Sequence, residues 1–93
     1  MEPKKMKHID YKPKDGKLLR IDAEVCEGKV AEIKINGDFF LYPEEAIFQI
    51  EEFVKGKEIE GLGKVLDAFM EKNQFRPIGF SGEDIEHALR MIN

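Results

Sequence analysis

The alternation of apolar and polar residues between positions 19 and 35 is the feature that most narrows what this chain can fold into. Leu19, Ile21, Ala23 and Val25 alternate with Arg20, Asp22 and Glu24, and Ala31, Ile33 and Ile35 alternate with Glu32, Lys34 and Asn36. Successive side chains of a strand point to opposite faces, so each run is a half-buried strand with one apolar side. Register separates the possible turns. A two-residue loop of Glu27 and Gly28 would set Ile21 against Lys34 and Ala23 against Glu32, apolar against polar. A three-residue loop of Cys26, Glu27 and Gly28 pairs Ala23 with Ala31, Ile21 with Ile33 and Leu19 with Ile35, and so buries one stripe. It also puts Gly28 where a type I turn with a bulge needs a left-handed residue. The sequence therefore predicts an antiparallel hairpin in that register.

Beyond the hairpin the period changes. Asn36-Gly37-Asp38 ends or bends the second strand, and Phe39 to Tyr42 continue it after a bulge. Pro43 suits the first position of a helix, with Glu44 and Glu45 in its electropositive first turn. Ala46, Ile47, Ile50, Phe53 and Val54 follow at helical spacing up to Lys55-Gly56. A second stripe of Leu62, Val65, Leu66, Phe69 and Met70 predicts a helix over 60–72. "NQFRPIGF" (73–80) reads as a loop. Ser81 and Asp84 form a capping-box pattern ahead of a third stripe, Ile85, Ala88, Leu89 and Ile92. Strands followed by helices predict an α+β domain: a small antiparallel sheet with three helices packed on it.

With 93 residues the chain has the length of a single domain. Residues 1–16 are Lys-rich and broken by Pro3, Pro13 and Gly16, which predicts a basic extended arm with a short strand at 6–11; the domain proper is placed at 17–93. Residues 1–20 hold seven of the 15 Lys/Arg and three of the 19 acids, so they carry +4 against −8 for the remainder. Such an arm is either solvated or reaches an anionic partner. The net charge of −4 argues against a general nucleic-acid binder. No apolar run approaches the ~20 residues of a membrane span, and the N-terminal lysines lack the apolar stretch of a signal peptide. A lone cysteine fits a reducing cytoplasm.

Catalytic constellations are not found. Cys26 is the only thiol, and its neighbours Glu24 and Glu27 have the wrong sign to stabilise a thiolate. One Cys with His8 and His87, far apart in the chain, makes a poor zinc set, and His87 reads as a surface residue. Ser81 is a cap. "GLG" (61–63) and "DGK" (15–17) fall short of phosphate-loop patterns. What stands out is "NGDFFLYPEEAI" (36–47). Four bulky residues in a row cannot all face one core. Two of Phe39, Phe40, Leu41 and Tyr42 must face elsewhere, toward either a second core or a docking surface.

At these residues the chain resembles a known family. "PKDGKLLRIDAEVCEGKVAEIKINGDFFLYPEEAI" (13–47) is similar to the C-terminal accessory domain of lipoate–protein ligases, through Gly16-Lys17-Leu18, Gly37-Asp38-Phe39-Phe40 and Pro43-Glu44-Glu45. "IGFSGEDIEHAL" (78–89) looks like that domain's last helix and its approach. The likeness runs over roughly residues 8–92, and its specificity lies in the ordered set. It implies a fold shared with iron–sulfur scaffold and sulfur-acceptor proteins. It implies the stand-alone small subunit of a two-component, archaeal-type ligase, forming a heterodimer with a large catalytic subunit. That subunit would hold ATP, Mg2+ and lipoate, make lipoyl-adenylate, and pass lipoyl to a lysine of an acceptor domain. This chain would bind no cofactor alone and would show no activity alone. The resemblance gives the candidate interface and activation residues as Lys12, Lys14, Gly16, Lys17, Asp38, Phe39, Phe40 and Tyr42, with the lysines facing the partner's adenylate site. Two other readings stand beside it: a sulfur-acceptor or iron–sulfur assembly protein using Cys26, and a generic interaction domain.

Overall fold

The computed structural model describes residues 6–92. Strands β1 (Lys7–Tyr11), β2 (Leu19–Cys26) and β3 (Lys29–Gly37) form an antiparallel sheet in that order. Helices α1 (Ala46–Val54), α2 (Leu62–Lys72) and α3 (Gly82–Ile92) complete the core, and two short strands, β4 (Phe40–Tyr42) and β5 (Arg76–Ile78), pair as a separate antiparallel ribbon. The architecture is α+β, with antiparallel sheets and three helices. The strand expected at 6–11 is β1, paired to β2 from Lys7↔Ala23 to Tyr11↔Leu19. Residues 7–11 of the Lys-rich segment are thus built into the sheet, and Pro13 beyond them is buried. The rest of the expected arm, residues 1–5, lies outside the described residues.

The hairpin corrects the expected register. Leu19 pairs with Gly37, Ile21 with Ile35 and Ala23 with Ile33, while Val25 pairs with Val30 and Cys26 with Lys29. The loop is the two-residue Glu27-Gly28, both with positive φ (52° and 77°), as a tight hairpin turn requires. The register shifts between Glu24 and Val25 and leaves Ala31 unpaired. That bulge absorbs the parity conflict that had counted against the short loop. Ala31 is therefore exposed, and Val30 takes its place in the core. Of the expected stripe, Leu19, Ile21, Ala23, Ile33 and Ile35 are buried, while Val25 is only partly so. Leu19, Ile21, Ala23, Val30, Ile33 and Ile35 are buried beneath Ala46, Ile50 and Val54 of α1, Leu62, Leu66 and Met70 of α2, and Ile85, Ala88 and Leu89 of α3.

Other differences follow from short-range geometry. Helix α1 begins at Ala46, not Pro43. The N–H groups of Ala46, Ile47 and Phe48 donate to the carbonyls of Pro43, Glu44 and Glu45, so tight i to i+3 turns lead into the helix and take up the acids meant for its first turn. The peptide Tyr42–Pro43 is cis. "NQFRPIGF" contains β5: Phe40 pairs with Ile78, Leu41 with Pro77 and Tyr42 with Arg76. Phe39–Tyr42 thus leave the sheet instead of prolonging β3. Val65, placed in the α2 stripe, is exposed.

The outer edge of β3 is covered at Val30 and Ile35 by its own chain. Val30 N–H donates to Lys57 O (3.0 Å), Gly56 N–H to Val30 O (2.7 Å), and Ile35 N–H to a Glu51 carboxylate oxygen (2.8 Å).

Helices α2 and α3 meet at their first turns, where a Cβ on Gly82 would lie 2.4 Å from the Gly63 carbonyl oxygen. Only glycine allows that approach. Two electropositive helix ends side by side repel. Each is met by a carboxylate from the other helix: Gly63 N–H donates to Glu86 (2.7 Å), and Gly82 N–H donates to Asp67 (2.7 Å). The Ser81–Asp84 capping box is also closed, with Ser81 N–H donating to Asp84 Oδ2 (2.9 Å) and Asp84 N–H donating to Ser81 Oγ (3.3 Å).

Candidate functional site

Three glycine-containing segments, apart in sequence, converge beside the β4–β5 ribbon. Lys17 N–H donates to Gly79 O (2.8 Å), and Asp38 N–H donates to Leu18 O (3.0 Å). Gly37 has φ +148°, and a Cβ there would overlap the Leu18 carbonyl, so a side chain at this position would break the junction. Gly16 packs against Pro13 and the Gly79 carbonyl. Gly16-Lys17-Leu18, Gly37-Asp38-Phe39 and Gly79-Phe80 therefore form one structural joint.

The joint sorts the four bulky residues. Leu41 is buried and Phe39 half-buried, its ring edge-on to Phe80 at 4.6 Å between centroids. Phe40 and Tyr42 point outward. Asp38 holds the joint through its backbone N–H, while its carboxylate is exposed and makes no hydrogen bond among the described residues. Lys12, Lys14 and Lys17 are exposed, and Lys17 lies against Gly79. So Gly16, Lys17, Asp38, Phe39, Phe40 and Tyr42 are brought together. Lys12 and Lys14 sit on the 12–18 connection that runs to this joint.

Sequence reasoning missed two partners of the joint, Phe80 beneath Phe39 and the β5 residues beside β4. The Gly79-Phe80 pair, echoing Gly37 and Phe39, was the available signal. Also missed was a polar cluster on the open sheet face. His8 Nδ1 lies 2.7 Å from Asp22 and Nε2 lies 2.6 Å from Asp10. Both ring nitrogens can donate only as imidazolium, so the bonds to Asp22 first and Asp10 second raise the His8 pKa above its ordinary 6.5. His87 is exposed and its ring lies 4.9 Å from that of Tyr11. Cys26 is exposed at the hairpin end. Among the described residues no group of three or more His, Cys, Asp or Glu is placed to hold a metal ion. No helix among them is long and apolar enough to cross a membrane.

No protein-family model matches the chain. It is similar to lipoate-protein ligase A subunit 2 of Thermoplasma acidophilum, with 32% identity over 83 residues that span 89% of this chain and 86% of the relative. Its fold is similar to that of a chain in a solved structure of an archaeal lipoylation system, a bipartite lipoate protein ligase and its E2 lipoyl domain, from the same organism. The TM-score is 0.74, with 26% identity, covering 91% of this chain and 94% of that one.

Proposed function

The chain belongs to the family of lipoate-protein ligase A subunit 2, and from that premise we propose that it is the non-catalytic small subunit that a large ligase subunit needs in order to activate lipoate with ATP. The observation that carries this is a relative of the same kind matched nearly end to end, across 86% of its length. In this reading ATP, Mg2+ and lipoate bind to the large subunit, which makes lipoyl-adenylate before lipoyl is moved to the lysine of an acceptor domain. Both proteins work in the cytoplasm as a heterodimer. The joint of 16–18, 37–39 and 79–80 presents Lys12, Lys14, Lys17, Phe40 and Tyr42 to the large subunit. Phe39 acts from below, by holding the joint on Phe80. The lysines favour the active arrangement of the partner's loops near the anionic adenylate, which is a shift in population and not a chemical step.

The test is pyrophosphate release from ATP and lipoate with each protein alone and with both. Activity is expected only, or mainly, from the mixture. Full activity of the large subunit alone would remove the role. Replacing both Lys14 and Lys17 with Ala should leave melting nearly unchanged and weaken activation, more so at low salt. A double variant that activates like wild type would show that these lysines are only solvated.

A further inference from the structure

The β4–β5 ribbon has two unlike faces. Directly opposed residues of an antiparallel pair share a face, as do residues two apart along a strand. Leu41 and Pro77 turn inward, so Phe40, Ile78, Tyr42 and Arg76 all stand on the outer face. Phe40 is 58% exposed, Tyr42 52% and Ile78 49%. With ~200 Å² for a large side chain, the three present on the order of 300 Å² of contiguous apolar surface, a size at which the largest patch on a monomer is often functional. The rim is uneven. On the β5 side stand Arg76 and, packed on the residue after Ile78, Lys17. Toward α1, Glu44 lines a shallow hollow with Phe39 and Phe40.

We propose that this outer face is the centre of the contact with the large ligase subunit, and that Ile78 and Arg76 belong to it together with Phe40 and Tyr42. The inference rests on the two-component reading above. The large subunit meets the face with an apolar socket that has carboxylates along the β5 side. Charge selects this occupant over a second copy of the chain. Two copies approach with −4 against −4, whereas the β5 rim offers cations that steer an acidic socket into register. The apolar residues form the desolvated centre of the interface, and the 12–17 connection forms part of its polar border.

Calorimetric titration of the purified large subunit with wild type and variants tests this. Tyr42→Ser and Ile78→Ser should each weaken binding at least tenfold. Arg76→Glu should weaken it too, by a factor that narrows as salt is raised. Phe48→Ser, at a residue 66% exposed on α1 that lines a hollow with Phe53 and Phe69 and with no ribbon residue, should bind as wild type. Thermal melting of each variant checks that the fold is kept, and Arg76→Glu alone suffices if a serine variant melts early. Wild-type affinity in all the ribbon variants would overturn the proposal while leaving the two-component reading intact. So would sedimentation showing that the ribbon variants abolish self-association of the isolated chain and leave binding of the large subunit untouched. If wild type fails to bind the large subunit at all, both readings fall together.

Discussion

Replacing Glu86 tests how the helical layer is held. Its carboxylate is mostly buried, 16% exposed, and accepts the Gly63 N–H at 2.7 Å while Arg90 donates to its other oxygen at 2.7 and 2.9 Å. Glu86→Ala leaves a first-turn donor of α2 without its partner, next to the start of α3. A hydrogen bond to a charged acceptor contributes about 1.5–3 kcal/mol, and loss of a helix cap costs about 0.5–2 kcal/mol. The exposed Arg90 pair adds a few tenths at most. Glu86→Ala should therefore destabilise by about 2 kcal/mol, and for a domain of this size Tm should fall by roughly 8–15 °C. Glu86→Gln keeps an acceptor and should cost about half as much. Arg90→Ala should cost no more than ~0.5 kcal/mol. The Gly63 bond first, then Arg90, holds the Glu86 pKa below its ordinary 4.5. The carboxylate's contribution is thus fully present above the unfolded value and is lost as pH falls through the lower folded one, because the unfolded chain takes up its proton first. Urea unfolding followed by circular dichroism between pH 3 and 7 reads all of this. If Glu86→Ala costs no more than Arg90→Ala, or if its deficit does not shrink at acid pH, the carboxylate is not what joins the two helix ends.

Phe80→Ala should lower stability by about 3–5 kcal/mol and reduce activation of the large subunit through the loosened joint, measured by melting and by pyrophosphate release on the same samples. The His8 contribution runs the opposite way to that of Glu86. It is fully present below pH 6.5 and lost as pH rises through the raised folded value, so the stability gap between wild type and His8→Ala should close on going from pH 6 to pH 9. Cys26→Ser should leave activation unchanged, and mass spectrometry after treatment with a cysteine desulfurase should find no persulfide. A stable persulfide on Cys26 would favour the sulfur-acceptor reading.

The residues that were legible in the sequence are those whose position follows from parity. Leu19, Ile21 and Ala23 had to share a face, and Phe40 and Tyr42 had to part from Phe39 and Leu41, whatever lay beyond. The hairpin register was not legible, because the rejected Glu27-Gly28 loop becomes compatible once one residue is left out of the ladder at Ala31, and an omission of one residue leaves no trace in composition. β5 escaped for a different reason. Three residues centred on Pro77 show no period, and their partner strand lies 36 positions away at Leu41↔Pro77. Hence half of the ribbon face, Arg76 and Ile78, was missing from the candidate site. The reciprocal bonds of Asp67 and Glu86 were hidden too. Each acid looks like an ordinary solvated helix residue until Gly63 and Gly82 bring the two helices together.

The covered edge of β3 bears on how such a chain waits for its partner. A sheet edge offers amides and carbonyls in the spacing that any extended peptide can match, including the same strand in another copy. Here residues 56–57 and the Glu51 carboxylate already occupy three of those groups on β3, the Val30 N–H and carbonyl and the Ile35 N–H. The aromatic face of the ribbon can thus remain wet without the β3 edge seeding a stack of copies. On this side, stickiness is confined to side chains, which discriminate between partners, and withheld from the backbone, which does not.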